Sequence, residues 1–203
     1  MITGEFYHIY NRGVEKRDIF SCLSDYRRFV SSLKLFNTDI PAWLVADELS
    51  RGPTSTGEPL VNIIAYCLNE NHYHLILEQR VENGITSFMR KLGTGYTLYF
   101  NKRYERSGFL FQGKFKSVHV ASNEYLLYLS AYVNCNSEIH GIAKAQDYKW
   151  CSFPDYLGKS GSLALKKDVI LKQFSDAGNY ADFAICNAMV MKNKKDMLKL
   201  ALE

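Results

Sequence analysis

The sequence predicts an α+β fold in which helices cover an antiparallel sheet, and three observations carry that expectation. β-rich and helix-periodic stretches follow one another in the order β-α-β-β-α-β-α, a mixed order typical of an α+β sandwich. Two β-rich runs, Val61 to Cys67 and His72 to Glu78, are separated only by Leu68 to Asn71, the spacing of an antiparallel hairpin. A chain of 203 residues with 47% hydrophobic content is long enough for one well-buried domain with an appendage, and cramped for two enzyme domains.

Phe6 to Tyr10 reads as the first strand, closed by the turn-like Asn11-Arg12-Gly13. Ser24-Asp25 caps a helix running to about Phe36, with Tyr26, Phe29, Val30, Leu33 and Phe36 at helical spacing. The segment SRGPTSTGEP, Ser50 to Pro59, reads as a flexible excursion between elements. After the hairpin a helix spans about Ile85 to Tyr104. Gly93 and Gly95 are places for it to bend or divide, since each glycine costs about 1 kcal/mol against alanine in a helix interior. Phe109 to Ala121 has strand character, and Ser122-Asn123-Glu124 opens a helix through about Asn136. From Asp147 the chain passes Trp150, Phe153 and Tyr156 to a final helical section bearing Lys192, Lys194, Lys195 and Lys199. Trp43 and Trp150 read as core or interface residues.

A net charge of +4 and a pI near 8.7 permit a nucleic-acid partner without requiring one. Between Arg80 and Lys116, however, eight cations face only Glu82 and Glu105, a local net of +6. Tyr96, Tyr99, Phe100, Tyr104, Phe109, Phe111 and Phe115 are interleaved with them, the composition of a surface that holds phosphates and stacks bases. A solvated basic face above an aromatic core stripe has the same composition. The five cysteines are odd in number and lack a C-x-x-C spacing, so neither a disulfide framework nor a zinc knuckle is indicated and a reducing cytoplasm fits. No secretory leader pattern opens the chain, and no apolar run reaches the roughly 18 residues of a membrane span, so no membrane association is expected.

The densest chemical signal is His72-Tyr73-His74. In an extended run, residues i and i+2 share a face, so both imidazoles converge on one point while Tyr73 points away. Five histidines would produce such a pair by chance in about one sequence of this kind in eight, so the pair needs company. Tyr125, Tyr128, Tyr132 and Asn136 lie at spacings of three and four and form one stripe on a later helix. A tyrosine hydroxyl is a poor nucleophile at its free pKa of about 10, but a metal that polarises a phosphate makes its attack feasible. Asn136 can add a carbonyl oxygen to the two imidazoles. The bland reading of Tyr132 is a packing residue, as most of the 14 tyrosines must be. His8, His119 and His140 have no spacing that marks them.

The ordered set YCLNENHYHLILE, GYTLYFNKRYERSGFLFQGKFKS, NEYLLYLSAYVNCNSEIHG and DYKWCSFPDYLG resembles the single-tyrosine, HUH-type transposases of the IS200-like class, especially the REP-associated tyrosine transposases. The resemblance covers roughly Gly4 to Gly158. It implies a ferredoxin-like HUH core in residues 1–158, followed by a C-terminal helical extension in 159–203. It further implies that His72 and His74 are paired metal ligands, that Tyr132, 58 residues beyond His74, is the nucleophile, and that Asn136 is the third ligand. The metal implied is Mg2+ or Mn2+, although imidazoles by themselves suit zinc and later transition metals better than magnesium. The implied reaction is cleavage and rejoining of single-stranded or hairpin DNA through a 5′-phosphotyrosine, in a prokaryotic cytoplasm, by a monomer or a homodimer.

Two departures stand out: Tyr73 replaces the usual aliphatic residue between the histidines, and Ser137 stands where proline is frequent. Arg12, Arg90, Lys91, Arg103, Lys114 and Lys116 are the best phosphate-contact candidates, and Gln112 is a candidate for a base or a local hydrogen bond. Two rival classes are a non-catalytic, regulatory hairpin-binding protein on the same fold and a hydrolytic zinc enzyme. The latter needs a further ligand and a general base, and no convincing set appears.

Overall fold

The computed structural model describes residues 1–41, 57–159, 161 and 163–200. Of the predicted excursion Ser50 to Pro59, positions 50–56 lie outside the described residues, as does Trp43. Four antiparallel strands, β1 (Phe6–Arg12), β2 (Val61–Asn69), β3 (His72–Gln79) and β4 (Lys116–His119), form one sheet in the order β2-β3-β1-β4. Helix α1 (Leu23–Leu35) precedes β2, α2 (Gly84–Arg103) links β3 to β4, and α3 (Asn123–Asn134) and α4 (Asn136–Ile139) follow β4. Two short helices, α5 (Phe153–Tyr156) and α6 (Asp168–Leu171), lead to the long α7 (Ala177–Leu200). This is the α+β architecture that the order of patterns predicts.

The sheet separates two apolar layers. On one face Tyr7, Ile9, Tyr73, Leu75 and Leu77 pack with Phe29 and Leu33 of α1 and with Phe88, Leu92 and Tyr96 of α2. On the other, Ile64, Ala65, Cys67 and Ile76 pack with Leu126, Leu129 and Val133 of α3 and with Tyr180, Ala184, Ala188 and Met191 of α7. The α7 residues recur every three or four positions, so one stripe of that helix closes the second layer. His8, His72 and His74 occupy this second face by the period-two alternation of β1 and β3.

A bulge in β2 changes which residues reach that second face. The register jumps between Ile63, opposite Leu77, and Ala65, opposite Ile76, leaving Ile64 as the extra residue. An extra residue inverts which side chains face which layer. Before it, Val61 and Ile63 face the first layer; after it, Ala65 and Cys67 face the second, and Asn69 follows them by the same alternation.

Three boundaries differ from the sequence expectation, and the helix expected over about Ile85 to Tyr104 runs undivided. Asn11 and Arg12 do not turn; they extend β1 opposite Tyr73 and His72. Helix α1 begins at Leu23, with the Asp25 carboxylate accepting from the backbone N–H groups of Ser21 and Cys22 at 2.9 and 3.1 Å, which ties down the entry to the helix. Helix α2 is continuous through both glycines. A Cβ at Gly95 would lie 2.5 Å from the Phe36 ring, so that glycine permits close packing of α2 and is no breaker, whereas Gly93 has open space around it. The strand expected over Phe109 to Ala121 reduces to β4 and an isolated bridge between Gly13 and Phe111, because left-handed Gly108 (φ +82°) and Gly113 (φ +74°) turn the chain.

Candidate metal and nucleophile site

The β2–β3 hairpin turns through Glu70 and Asn71, which places His72 at the first position of β3. Asn71 fixes its ring: His72 Nδ1 lies 2.7 Å from Asn71 Oδ1, an acceptor, so Nδ1 carries the proton and Nε2 keeps a lone pair. That lone pair accepts from Asn69 Nδ2 at 2.9 Å. Two residues on, His74 Nδ1 lies 2.9 Å from His8 Nε2 on the neighbouring strand, and the two rings stack with centroids 5.1 Å apart. Nε2 is then the nitrogen that His74 presents to the site. Tyr73 points the opposite way, buried between Phe29 and Phe111, so its departure from an aliphatic residue is absorbed by the first layer.

Tyr132 comes from α3, whose start is capped by Ser122 Oγ accepting from Tyr125 N at 3.1 Å. Its ring stands edge-on to His74, with centroids 5.3 Å apart. The helix then breaks at Cys135 (φ −101°, ψ 14°), so Tyr132 and Asn136 do not share one uninterrupted helix as the spacing predicts. Asn136 opens α4 instead, and its Oδ1 accepts from the same Asn69 Nδ2 at 2.6 Å. Ser137 is buried with an unpartnered Oγ in the first turn of α4.

Electrostatics keep these groups neutral. Burial pushes the His74 pKa well below its ordinary value, and the neighbouring His8, His72 and His140 push it the same way. Burial lowers His72 as well, against an opposing contact with Asn136. His8, only 8% exposed, is lowered to about 4 by burial. The Tyr132 phenol is raised by burial, while its contact with the Asn136 amide pulls it down. Beyond that contact, the buried Asn136 Nδ2 has no hydrogen-bond partner.

These donors fit a divalent cation. Two neutral imidazoles direct Nε2 into the site, and a carboxamide oxygen lies beside them. One polarised NH2 group, that of Asn69, already satisfies both His72 Nε2 and Asn136 Oδ1, the kind of double role that a cation between them would take over. Among the described residues no cluster of three or more His, Cys, Asp or Glu side chains is arranged to hold a metal, so a cation here rests on the mixed set.

Around this centre lies a cleft of about 370 Å³ lined by Arg12, Lys16, Lys116, Gln112 and His140 together with Tyr10, Asn11, Asn71, His72, His74 and Tyr132, with no acidic residue among them. Arg12 donates to Gln112 Oε1 across its mouth. The other cations predicted for DNA are placed elsewhere. Lys91 donates to the carbonyls of Thr38 and Ile40 at 2.6 and 2.7 Å, and Arg103 lies 3.6 Å from the buried Asp25 carboxylate. Arg90 and Lys114 flank a separate apolar groove beside Phe109 and Leu98. Of the unmarked histidines, His119 pairs with Glu5 at 3.0 Å, an ordinary exposed contact. His8 and His140 do not follow that reading: His8 contacts His74, and the His140 ring is 5.2 Å from that of His72. Asn69 carries no mark in the sequence either, since only the bulge turns it toward the site.

Comparison with known proteins gives a family match and a fold match. Residues 56–136, a stretch that contains His72, His74, Tyr132 and Asn136, match the family model described as "Transposase IS200 like". Among solved structures, the fold matches "Structure of the REP associates tyrosine transposase bound to a REP hairpin" with a TM-score of 0.54 and 12% sequence identity, covering 77% of this chain and 81% of that one. No curated protein matches in sequence. No described helix is long and apolar enough to cross a membrane.

Proposed function

We propose that this protein is a metal-dependent single-stranded DNA nuclease and strand transferase that acts on hairpin-bearing DNA through a covalent bond to Tyr132. The observation that carries the reading is the convergence of His72, His74, Tyr132 and Asn136 from three separate elements beside a cleft with only basic charges. The match to the IS200-like family over the stretch that holds all four residues supports it, as does the likeness to a fold whose solved example is bound to a REP hairpin.

In this mechanism Arg12, Lys16 and Lys116 hold the DNA backbone so that one phosphate faces Tyr132. His72, His74 and Asn136 would hold Mg2+ or Mn2+, which when bound polarises a phosphate oxygen and offsets charge as it develops. The imidazole share of the donor set favours manganese of the two. His8 holds the His74 ring by its hydrogen bond and stacking contact, so that Nε2 keeps its aim. Asn69 must release His72 and Asn136 for both to act as ligands. The Tyr132 phenol gives up its proton as its oxygen attacks phosphorus. The bond from phosphorus to the 3′-oxygen breaks, and that oxygen leaves as a hydroxyl. The product is a 5′-phosphotyrosine, which retains the bond energy, so attack by another 3′-hydroxyl restores a DNA strand and frees the phenol.

The test is incubation of the protein with end-labelled, hairpin-bearing single-stranded DNA and Mn2+, followed by denaturing electrophoresis. A denaturation-resistant adduct is expected with the wild type and is lost on removal of the metal or in Tyr132→Phe, which retains DNA binding. Hairpin binding without an adduct would support a regulatory binding protein instead, and hydrolysis without an adduct would support a metal-bound water as nucleophile.

A further inference from the structure

We propose that a trough walled by Tyr10, Tyr125 and Tyr128 is the track on which the bases of the unpaired strand next to the reacting phosphate stack. This inference rests on the nuclease reading and names the part of the substrate that reading leaves undefined.

The trough, of about 350 Å³, runs between α3 and the β1–β4 edge of the sheet. It shares Tyr10, His74 and Tyr132 with the basic cleft, so the two are continuous through the proposed nucleophile. Their chemistry divides sharply. Arg12, Lys16 and Lys116 line the cleft with no opposing acid, whereas the trough has aromatic and aliphatic walls and no Lys, Arg, Asp or Glu in its lining. A single-stranded nucleic acid has the same division between an anionic backbone and flat apolar bases.

Tyr125 and Tyr128 combine an exposed ring with an unengaged hydroxyl. Three other tyrosines engage their hydroxyls: Tyr96 donates to Ile19 O at 2.6 Å, Tyr148 to Leu68 O at 2.6 Å and Tyr156 to Ile64 O at 2.9 Å. Among the described residues, the hydroxyls of Tyr10, Tyr125 and Tyr128 have no protein partner. Tyr125 and Tyr128 are 39% and 40% exposed, and with Tyr132 they follow one face of α3 at intervals of three and four. Neither closes a core nor supports a hydrogen-bond network. Rings spaced along one wall and leading away from a phosphate site form a stacking surface. A duplex hides its base faces, so the occupant is the unpaired strand.

The test measures binding of two labelled DNAs, a hairpin with a single-stranded tail carrying 2-aminopurine and the same hairpin with a blunt end. Stacking predicts that Tyr125→Ala and Tyr128→Ala each weaken binding of the tailed DNA by about 5- to 150-fold. Both should also reduce the quenching of 2-aminopurine. Tyr125→Phe and Tyr128→Phe, which keep the ring, should bind like wild type, and blunt hairpin should bind all variants equally. Both side chains are partly exposed and lack hydrogen bonds, and matching thermal melts confirm that the alanine variants are folded. Wild-type affinity and quenching in the alanine variants would overturn the trough, whatever the adduct assay gives. Loss of tail binding in those variants, with no adduct from the wild type, would uphold the trough and sink the nuclease reading alone.

Discussion

At His8, an ordinary strand alternation brings a third imidazole against the pair that the sequence makes conspicuous. His72 and His74 are legible because they lie two residues apart on one strand. His8 is not, because its partner is 66 residues away and only the antiparallel register, with His8 opposite Ile76, brings them together. Its burial has a measurable consequence. A histidine held near 4 when folded and near 6.5 when unfolded is neutral in the native state, so the unfolded chain binds the extra proton between those values. Stability is therefore full above about pH 6.5 and falls as pH drops toward 4, by on the order of 3 kcal/mol from this residue. Urea titrations of wild type and His8→Phe at pH 7 and pH 4.5 should show a smaller pH-dependent loss in the variant; an equal loss would mean that His8 is not its source. Asn69 gives a second prediction at this scale. Its amide competes for two of the proposed ligand atoms, so Asn69→Ala should tighten Mn2+ binding by about 2- to 10-fold, the value of one or so net hydrogen bonds. Weaker binding in a calorimetric titration would mean that Asn69 supports the ligands and does not compete with them.

At the scale of elements, two irregularities shape the site. The extra residue at Ile64 turns the end of β2 over, which carries Asn69 to the face of His72. The break at Cys135 separates Asn136 from the helix of Tyr132 while leaving it one turn further on, where it reaches the same amide. The i, i+4 spacing made the Tyr132–Asn136 pair legible; neither the bulge nor the break has a period or composition that reveals it. Glycines show the same limit. Gly93 and Gly95 carry the same helix penalty in sequence, yet only Gly95 meets a neighbour. Gly93→Ala should stabilise the protein by up to about 1 kcal/mol through helix propensity, while Gly95→Ala should destabilise it by about 1–3 kcal/mol by forcing its Cβ into Phe36. Chemical denaturation of both variants checks the opposite signs, and a gain at Gly95 would show that Phe36 yields freely.

Across the whole molecule, the sheet separates the cations of the α1–α2 side from those of the cleft. The run from Arg80 to Lys116 is strongly basic in sequence, but composition does not say on which side of a sheet each cation lies. Lys91 and Arg103 belong to the α1–α2 side, where they tie loops and the buried Asp25. Arg12 and Lys116 meet the proposed nucleophile from β1 and β4. Lys116→Gln and Arg12→Gln should each lower the slope of log K against log salt for DNA binding by about one, and Lys91→Gln should leave it unchanged. Equal slopes in all three would dissociate the cleft from phosphate binding. The two faces also assign the C-terminal helix a place: α7 closes the layer behind α3 and so supports the element that carries Tyr132. The most direct test of Tyr132 as the nucleophile is to digest the protein–DNA adduct and locate the modified residue by mass spectrometry. A nucleotide joined through a 5′-phosphate to the Tyr132 peptide alone is the predicted result; a nucleotide on Tyr125, Tyr128 or any other residue would contradict it.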